Sequence, residues 1–238
     1  MVASFAPTLP IMLGKGRMLN AMTHHKTALA LAALGFGALA MPQAKPLKRT
    51  HAPGDSAAYR YELKIGGATH AGTMSQTVSR IEADGSYVLE SKTDGGAASS
   101  GVYMANGVVK ELLGPDVNVA AYRIAFMTMF QSPPAPVQAE DFWTFETRMN
   151  PVTGARAVRV VYRVEAIESL GTVETMRIRF SMTETDAPNP ATSDGTIWVD
   201  TATGWVAKSQ FIWRNAPIGP SGEGMDATLT MVKEGLAS

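Results

Sequence analysis

The chain has 238 residues, with 21 basic side chains, 21 acidic side chains and no cysteine. This length suits one domain with a substantial core, and the lack of cysteine excludes disulfides and thiol chemistry. Six of the 21 basic residues precede Asp55, the first acidic residue, so the remainder is mildly acidic. We therefore expect no nucleic-acid partner, because phosphate backbones are bound by clustered lysine and arginine.

An apolar run near the start of the chain predicts a secretory signal peptide. The uncharged segment Thr27–Ala40 follows Lys26 and ends in the small-x-small sequence Ala38-Leu39-Ala40, which is typical of a signal cleaved after Ala40. It is shorter than the roughly 20 residues that span a bilayer, so we expect no stable membrane span in the mature form. A short buried helix of a cytosolic protein is the alternative, but such a helix would carry polar residues at helical period.

The remainder of the N-terminal region refines this prediction. Residues 1–21 do not fit a signal peptide, which suggests that the natural start is Met18 or Met22. No cysteine follows the predicted cleavage site, so the mature protein has no residue for lipid attachment. We expect a periplasmic or extracellular location. Residues 41–58, rich in proline, are predicted to form a flexible tether, and residues 59–238 a single β-sheet domain.

Alternation of apolar and polar residues predicts strands with one buried face. Four segments show it most clearly: 59–65, 158–164, 176–182 and 225–231. Alternation of this kind favours an antiparallel sheet with one solvated face. The dipeptides Asp84-Gly85, Asn106-Gly107 and Thr203-Gly204 are hairpin-turn signals. Together they predict a meander of about ten strands: 59–66, 69–83, 86–93, 101–105, 108–113, 142–149, 156–168, 172–185, 195–200 with 205–214, and 223–234.

The predicted fold class is all-β, mainly antiparallel: a curved meander sheet that forms a half-barrel or a barrel. Large sheets twist and curl rather than staying flat. The segment Val119–Phe130 follows neither strand nor helix period cleanly. We expect it to be one helix over the concave face, ending before Pro133, because a residue that precedes proline disfavours helical geometry. A long buried strand is the alternative.

The sequence offers little for catalysis. His51 and His70 are the only histidines after the predicted cleavage site, and neither has metal-ligand spacing around it. We expect no metal and no cofactor. Glu140-Asp141 is a carboxylate pair in sequence, but adjacent residues of a strand point to opposite faces. Glu165 and Glu168 would also point to opposite faces of the sheet if their strand is regular.

A cluster of aromatic and methionine residues is the candidate ligand site. These side chains suit an irregular apolar ligand; the alternative is that they simply pack a helix on the sheet as plain core. The candidate residues are Tyr122, Phe126, Met127, Met129, Phe130 and Trp143.

Two segments carry a resemblance to known proteins. Residues 134–143, PAPVQAEDFW, and residues 195–209, GTIWVDTATGWVAKS, resemble stretches of uncharacterised secreted all-β proteins of bacterial envelopes. That group is similar to the lipoprotein-carrier fold, so the resemblance implies a curved antiparallel sheet with helices in its concavity and brings no catalytic residues. Glu140 stands where that group usually has glycine.

The sequence favours a non-enzymatic envelope protein that binds an apolar or lipid-like molecule in the concavity of the sheet. The partner would be that ligand or another envelope protein. Two alternatives are a structural or interaction protein of the envelope and a carboxylate-based hydrolase.

The signal peptide can be tested directly. In a bacterial host, we expect the exported protein to begin at Met41, as measured by N-terminal sequencing and intact mass. A mature chain that begins before residue 22 would contradict the export prediction.

Overall fold

The computed structural model describes residues 44–115 and 117–236. The predicted signal peptide, residues 1–40, lies outside the described residues. The described chain forms one antiparallel sheet and one α-helix, α1 (Val119–Thr128). The strands are β1 (Ser56–Ile65), β2 (Ala68–Ile81), β3 (Tyr87–Thr93), β4 (Ala98–Tyr103), β5 (Val109–Leu113), β6 (Phe142–Thr147), β7 (Val158–Leu170), β8 (Val173–Glu184), β9 (Thr192–Asp200), β10 (Val206–Pro217) and β11 (Gly224–Lys233).

The strand order differs from a single meander in sequence order. It reads β5-β4-β3-β2-β1-β11-β10-β9-β8-β7-β6. Two meanders, β1–β5 and β6–β11, are therefore joined by pairing of the first and last strands, in which Leu63 lies opposite Leu229. The edge strands β5 and β6 are not paired with each other, so the sheet stays open. The predicted all-β fold class is confirmed, as the half-barrel form.

The helix over the concave face is also confirmed. The side chain of Asn118 caps its first turn by accepting a hydrogen bond from the Ala121 amide at 3.0 Å, an arrangement that stabilises a helix by about 1 kcal/mol. The helix ends at Thr128, because Met129 has extended backbone angles. It packs against β5, β9 and β10.

A buried ion pair fixes the helix to the sheet. Arg123 on α1 donates to both carboxylate oxygens of Glu184 on β8, at 2.5 and 2.9 Å, and the Ala191 amide donates to the same carboxylate at 2.9 Å. Glu184 is only 2% exposed. Since removing one partner of such a pair costs about 3–5 kcal/mol, the pair strongly constrains the position of α1.

Part of the predicted flexible tether packs against the sheet in the structure. Residues 44–55, which we name the crossing segment, run across the strand ends at which β1 begins. Lys45 exchanges two backbone hydrogen bonds with Val137, at 2.8 and 2.9 Å, and Leu47 is buried in the core. Prolines suggested an extended chain, but one apolar side chain and a few backbone pairings are enough to dock that chain on the sheet.

Glu140 occupies a backbone conformation that favours glycine. Its φ of 73° lies in the left-handed region, where a side chain costs about 1–2 kcal/mol. A glycine would adopt this conformation without that cost. The Glu140 carboxylate forms an exposed ion pair with Arg163, and such pairs contribute little.

This strain predicts a stabilising substitution. We expect the free energy of unfolding, measured in urea, to be about 1 kcal/mol higher for Glu140→Gly than for Glu140→Ala. Both variants lose the ion pair with Arg163, so the comparison isolates the backbone conformation. Equal unfolding free energies would contradict a left-handed residue 140.

Candidate functional site

The helix divides the space inside the sheet into two unlike sides. On the side of β6–β8, large aromatic side chains pack against one another. Trp143 stacks on Tyr162 with ring centroids 5.0 Å apart, and Phe130 meets Tyr162 edge-on at 5.9 Å. The Tyr162 hydroxyl donates to the Met129 carbonyl at 2.9 Å, which holds the end of the helix in place. This side is ordinary close-packed core.

The other side contains a cavity of 490 Å³, partly open to solvent. Sites for small molecules usually measure about 300–1,000 Å³. The helix presents Ala121, Ile124, Ala125 and Thr128 to the cavity, a spacing of three and four residues that places them on one helix face. Two of these four residues are alanines, so this face of the helix leaves an open space. On the opposite face of the helix, large side chains occupy the corresponding space. The sheet contributes these lining residues: Tyr59, Met74, Gln76, Leu89, Ser91, Ser99, Tyr103, Leu112, Ile197, Val206, Ser209, Phe211, Trp213, Leu229 and Met231.

The size of the cavity makes it more than a packing defect. At about 24 cal/mol per Å³, a dry and empty space of 490 Å³ would cost on the order of 10 kcal/mol. That is comparable to the whole stability of a domain. Since the cavity is partly open to solvent, water or a ligand occupies it, and its mostly apolar walls hold water poorly.

Only part of the predicted ligand site lies on this cavity. Met129 and Phe130 line it. Tyr122, Phe126, Met127 and Trp143 are buried in the main core instead. Tyr122 ties the helix to β5 by accepting a hydrogen bond from the Leu112 amide at 3.1 Å, and Trp143 donates to the Gln131 carbonyl at 3.1 Å. A binding role for the six residues stays a prediction.

Arg49, from the crossing segment, lies at one end of the cavity. Its guanidinium donates to the Tyr87 hydroxyl and to the Phe130 carbonyl, both at 2.9 Å, and sits 5.6 Å from the centre of the Phe130 ring. Across residues 44–115 and 117–236, no carboxylate forms an ion pair with it. Sequence reasoning missed this residue, because residues 41–58 were predicted to be a tether.

Two hairpin glycines position Arg49. A Cβ at Gly107, in the β4–β5 turn, would lie 2.7 Å from Arg49 Nε. A Cβ at Gly204, in the β9–β10 turn, would lie 2.8 Å from Arg49 Cα. Both glycines have positive φ, so the same residues make the turns and leave space for the arginine. The predicted Asn-Gly and Thr-Gly turns thus have a second consequence that their local pattern does not reveal.

The far end of the cavity is marked by Trp213. From Val206 to Trp213, β10 advances about 20 Å along the sheet, so the cavity is elongated. Trp213 Nε1 is buried and has no hydrogen-bond partner within the described part of the chain. The cavity therefore runs from a cationic end to an end with one unsatisfied N–H donor.

His51 stands beside Arg49 but faces a separate surface depression. Its ring packs against Tyr87 and Trp205, with centroids 4.9 and 4.7 Å away. Both ring nitrogens are buried without a partner among the described residues. Burial, and then the positive charge of Arg49, lower the pKa of His51 from 6.5 to about 4. The imidazole is therefore neutral at pH 7.

The carboxylates considered for catalysis are held in ion pairs. A β-bulge between Val164 and Ala166 brings Glu165 and Glu168 to one face of the sheet, contrary to the expectation for a regular strand. Arg177 donates to Glu165 at 3.1 Å and to Glu168 at 3.0 Å. Glu168 also accepts from Trp198 Nε1 at 2.7 Å. Arg177 therefore pairs with both carboxylates of this cluster.

The Glu140-Asp141 pair is likewise engaged. Glu140 pairs with Arg163, and Asp141 accepts a hydrogen bond from the Gln138 amide at 2.9 Å. In the part of the chain that the structure describes, no group of three His, Asp or Glu side chains could hold a metal ion. Nor does any described helix have the length and apolarity to cross a membrane.

Comparisons with known proteins give a remote similarity only. The sequence matches no known family profile and no curated protein. Among solved structures, it is similar to the hypothetical lipoprotein YmcC from Escherichia coli K12, with 13% identity, 76% of this chain and 85% of that chain covered, and a TM-score of 0.35. A second similar structure is that of a proposed exported protein with a YmcC-like fold from Bacteroides fragilis. The identity is 10%, the match covers 81% of this chain and 100% of that chain, and the TM-score is 0.40.

A third similar structure is that of a proposed lipoprotein from Parabacteroides distasonis. The identity is 12%, the match covers 82% of this chain and 100% of that chain, and the TM-score is 0.38. At these scores the matches transfer no residue role and no function. None of the three is described as a lipoprotein carrier, so that resemblance remains a prediction.

The lowered pKa of His51 predicts a pH-dependent stability. The unfolded chain binds this proton near pH 6.5 and the folded chain only near pH 4, so the contribution is complete above about pH 6.5 and declines as the pH falls toward 4. Between pH 7 and pH 5 we expect a loss of about 1–2 kcal/mol, measured by urea unfolding.

The variant His51→Phe keeps the ring packing and removes the proton site, so its stability should fall less over that range. His70→Gln, on an exposed part of β2, is the matched control and should behave as the wild type. An identical pH dependence in His51→Phe and the wild type would contradict the account of this site.

Proposed function

We propose that this protein is exported to the bacterial envelope and there binds an apolar, lipid-like molecule in the cavity beside α1. The observation that carries the proposal is the 490 Å³ cavity between the helix and strands β1–β5 and β9–β11. The proposed export rests on the apolar run Thr27–Ala40. No catalytic group is needed for this role.

The distribution of side chains supports binding rather than a loosely packed core. The filled side of the helix contains well-packed aromatic rings, so the protein can pack densely where no ligand is needed. On the cavity side, small residues such as Ala121 and Ala125 face large, widely spaced apolar side chains. A lipid-like molecule would fill this space and recover the dispersion contacts that the lining residues lack.

The shape of the cavity favours a chain over a compact ring system. Its lining extends for about 20 Å along β10, and its walls include flexible methionines at both Met74 and Met231. Methionine adapts to irregular apolar surfaces. Such walls suit an acyl chain whose conformation varies.

Filling the cavity should abolish binding. We expect Ala125→Trp to weaken binding of the neutral lipophilic dye N-phenyl-1-naphthylamine by at least tenfold, because the indole would occupy the ligand's space. The dye's fluorescence, followed during titration, measures the affinity. Ile212→Trp adds the same bulk on the solvent-facing side of β10, where Ile212 is exposed, and should bind as the wild type does.

Dye binding by Ala125→Trp at wild-type affinity would place the ligand elsewhere. A wild-type protein that binds no dye and shows only its unliganded mass in native mass spectrometry, when purified from its own envelope, would reject the proposed function.

A further inference from the structure

Arg49 is a cation with an incomplete set of partners. A guanidinium has five N–H donors, and only two of those in Arg49 have an acceptor among the described residues. Its Nε atom is buried and unpaired in the same set. Arg49 as a whole is half-buried, and a partly buried charge is more stable with a counter-charge beside it, so this end of the cavity favours an anion.

The neighbouring side chains do not supply the missing charge. Burial raises the pKa of both Tyr59 and Tyr103 above the usual value for a phenol, although Arg49 acts in the opposite direction. These hydroxyls therefore stay neutral. Asp55, on the same crossing segment, forms no ion pair with Arg49 among the described residues and accepts a hydrogen bond from the Ala52 amide at 2.6 Å. His51, as described above, is neutral at pH 7.

Several contacts hold the guanidinium in this position. The Tyr87 hydroxyl and the Phe130 carbonyl fix its two terminal nitrogens. Gly107 lies against its Nε and Cζ atoms, and Gly204 lies against the Arg49 backbone. A cation fixed in this way is preorganised for a ligand, since little conformational entropy remains to be lost on binding.

We infer that the ligand is an anionic amphiphile whose acidic headgroup pairs with Arg49 and whose acyl chain extends through the cavity toward Trp213. This inference rests on the proposed function and specifies its ligand class. A carboxylate or a phosphate monoester would satisfy the geometry, because guanidinium groups bind both through paired hydrogen bonds. A neutral or cationic amphiphile would leave the charge of Arg49 unpaired.

The test compares amphiphiles that share one chain and differ only in the headgroup. Dodecanoic acid, dodecyl phosphate, 1-dodecanol and dodecyltrimethylammonium compete with N-phenyl-1-naphthylamine for the wild-type protein at pH 7.5. We expect at least one of the two acids to displace the dye at a concentration at least tenfold lower than the alcohol or the ammonium compound. The more effective acid assigns the headgroup as carboxylate or phosphate.

Variants separate Arg49 from the general charge of the protein. Arg49→Met should lose the preference for acids over the alcohol, with each displacement measured against that variant's own affinity for the dye, and Arg49→Lys should keep part of that preference. Lys48→Met removes a positive charge from an exposed neighbouring side chain and should retain the full preference. A thermal unfolding curve for each variant identifies any that fail to fold.

The wild-type comparison decides the matter even if Arg49→Met does not fold. Equal displacement by the acids and the alcohol would overturn the inference while leaving the proposed function intact. Loss of the acid preference in Lys48→Met would also overturn it. Absence of dye binding by the wild type would instead contradict the proposed function itself.

Discussion

Two consecutive strands, β5 and β6, lie at opposite edges of the sheet, and that constraint shapes the rest of the molecule. Because β1 pairs with β11, the chain leaves β5 at one edge and must reach β6 at the other. The connection between them carries α1 across the concave face. The buried pair of Arg123 and Glu184 then fixes where the helix crosses.

The position of the helix produces both the core and the cavity. Its large side chains, Phe126 and Met127, pack with the β6–β9 side of the sheet, while Ala121 and Ala125 face the hollow side. A helix with apolar contacts on both sides has no wet face, so its residues show only a weak amphipathic pattern. This explains why Val119–Phe130 fits neither regular period in the sequence.

Local features of the fold could be predicted from the sequence, and long-range ones could not. Alternation located the strands, and turn dipeptides such as Asn106-Gly107 located hairpins, because both signals depend on near neighbours. The pairing of Leu63 with Leu229 joins distant segments and leaves no local trace. The bulge beside Glu165 was missed for a related reason, since one extra residue reverses the expected face without changing the composition.

The candidate site was only partly accessible to sequence reasoning. Met129 and Phe130 belong to an obvious apolar cluster, and both line the cavity. Arg49 lies in a proline-rich stretch whose composition resembles a linker, and its position depends on Gly107 and Gly204, which are remote in sequence. A basic residue close to an apolar anchor such as Leu47 is the one local sign that this stretch docks on the domain.

The central claim is that the cavity beside α1 is a ligand site with a cationic end. A crystal structure of the protein grown with dodecanoic acid tests it most directly. The account predicts continuous electron density for the acyl chain between the helix and β10, with the carboxylate in hydrogen-bond contact with Arg49. A cavity closed by movement of α1, or a ligand bound only on the outer face of the sheet, would contradict it.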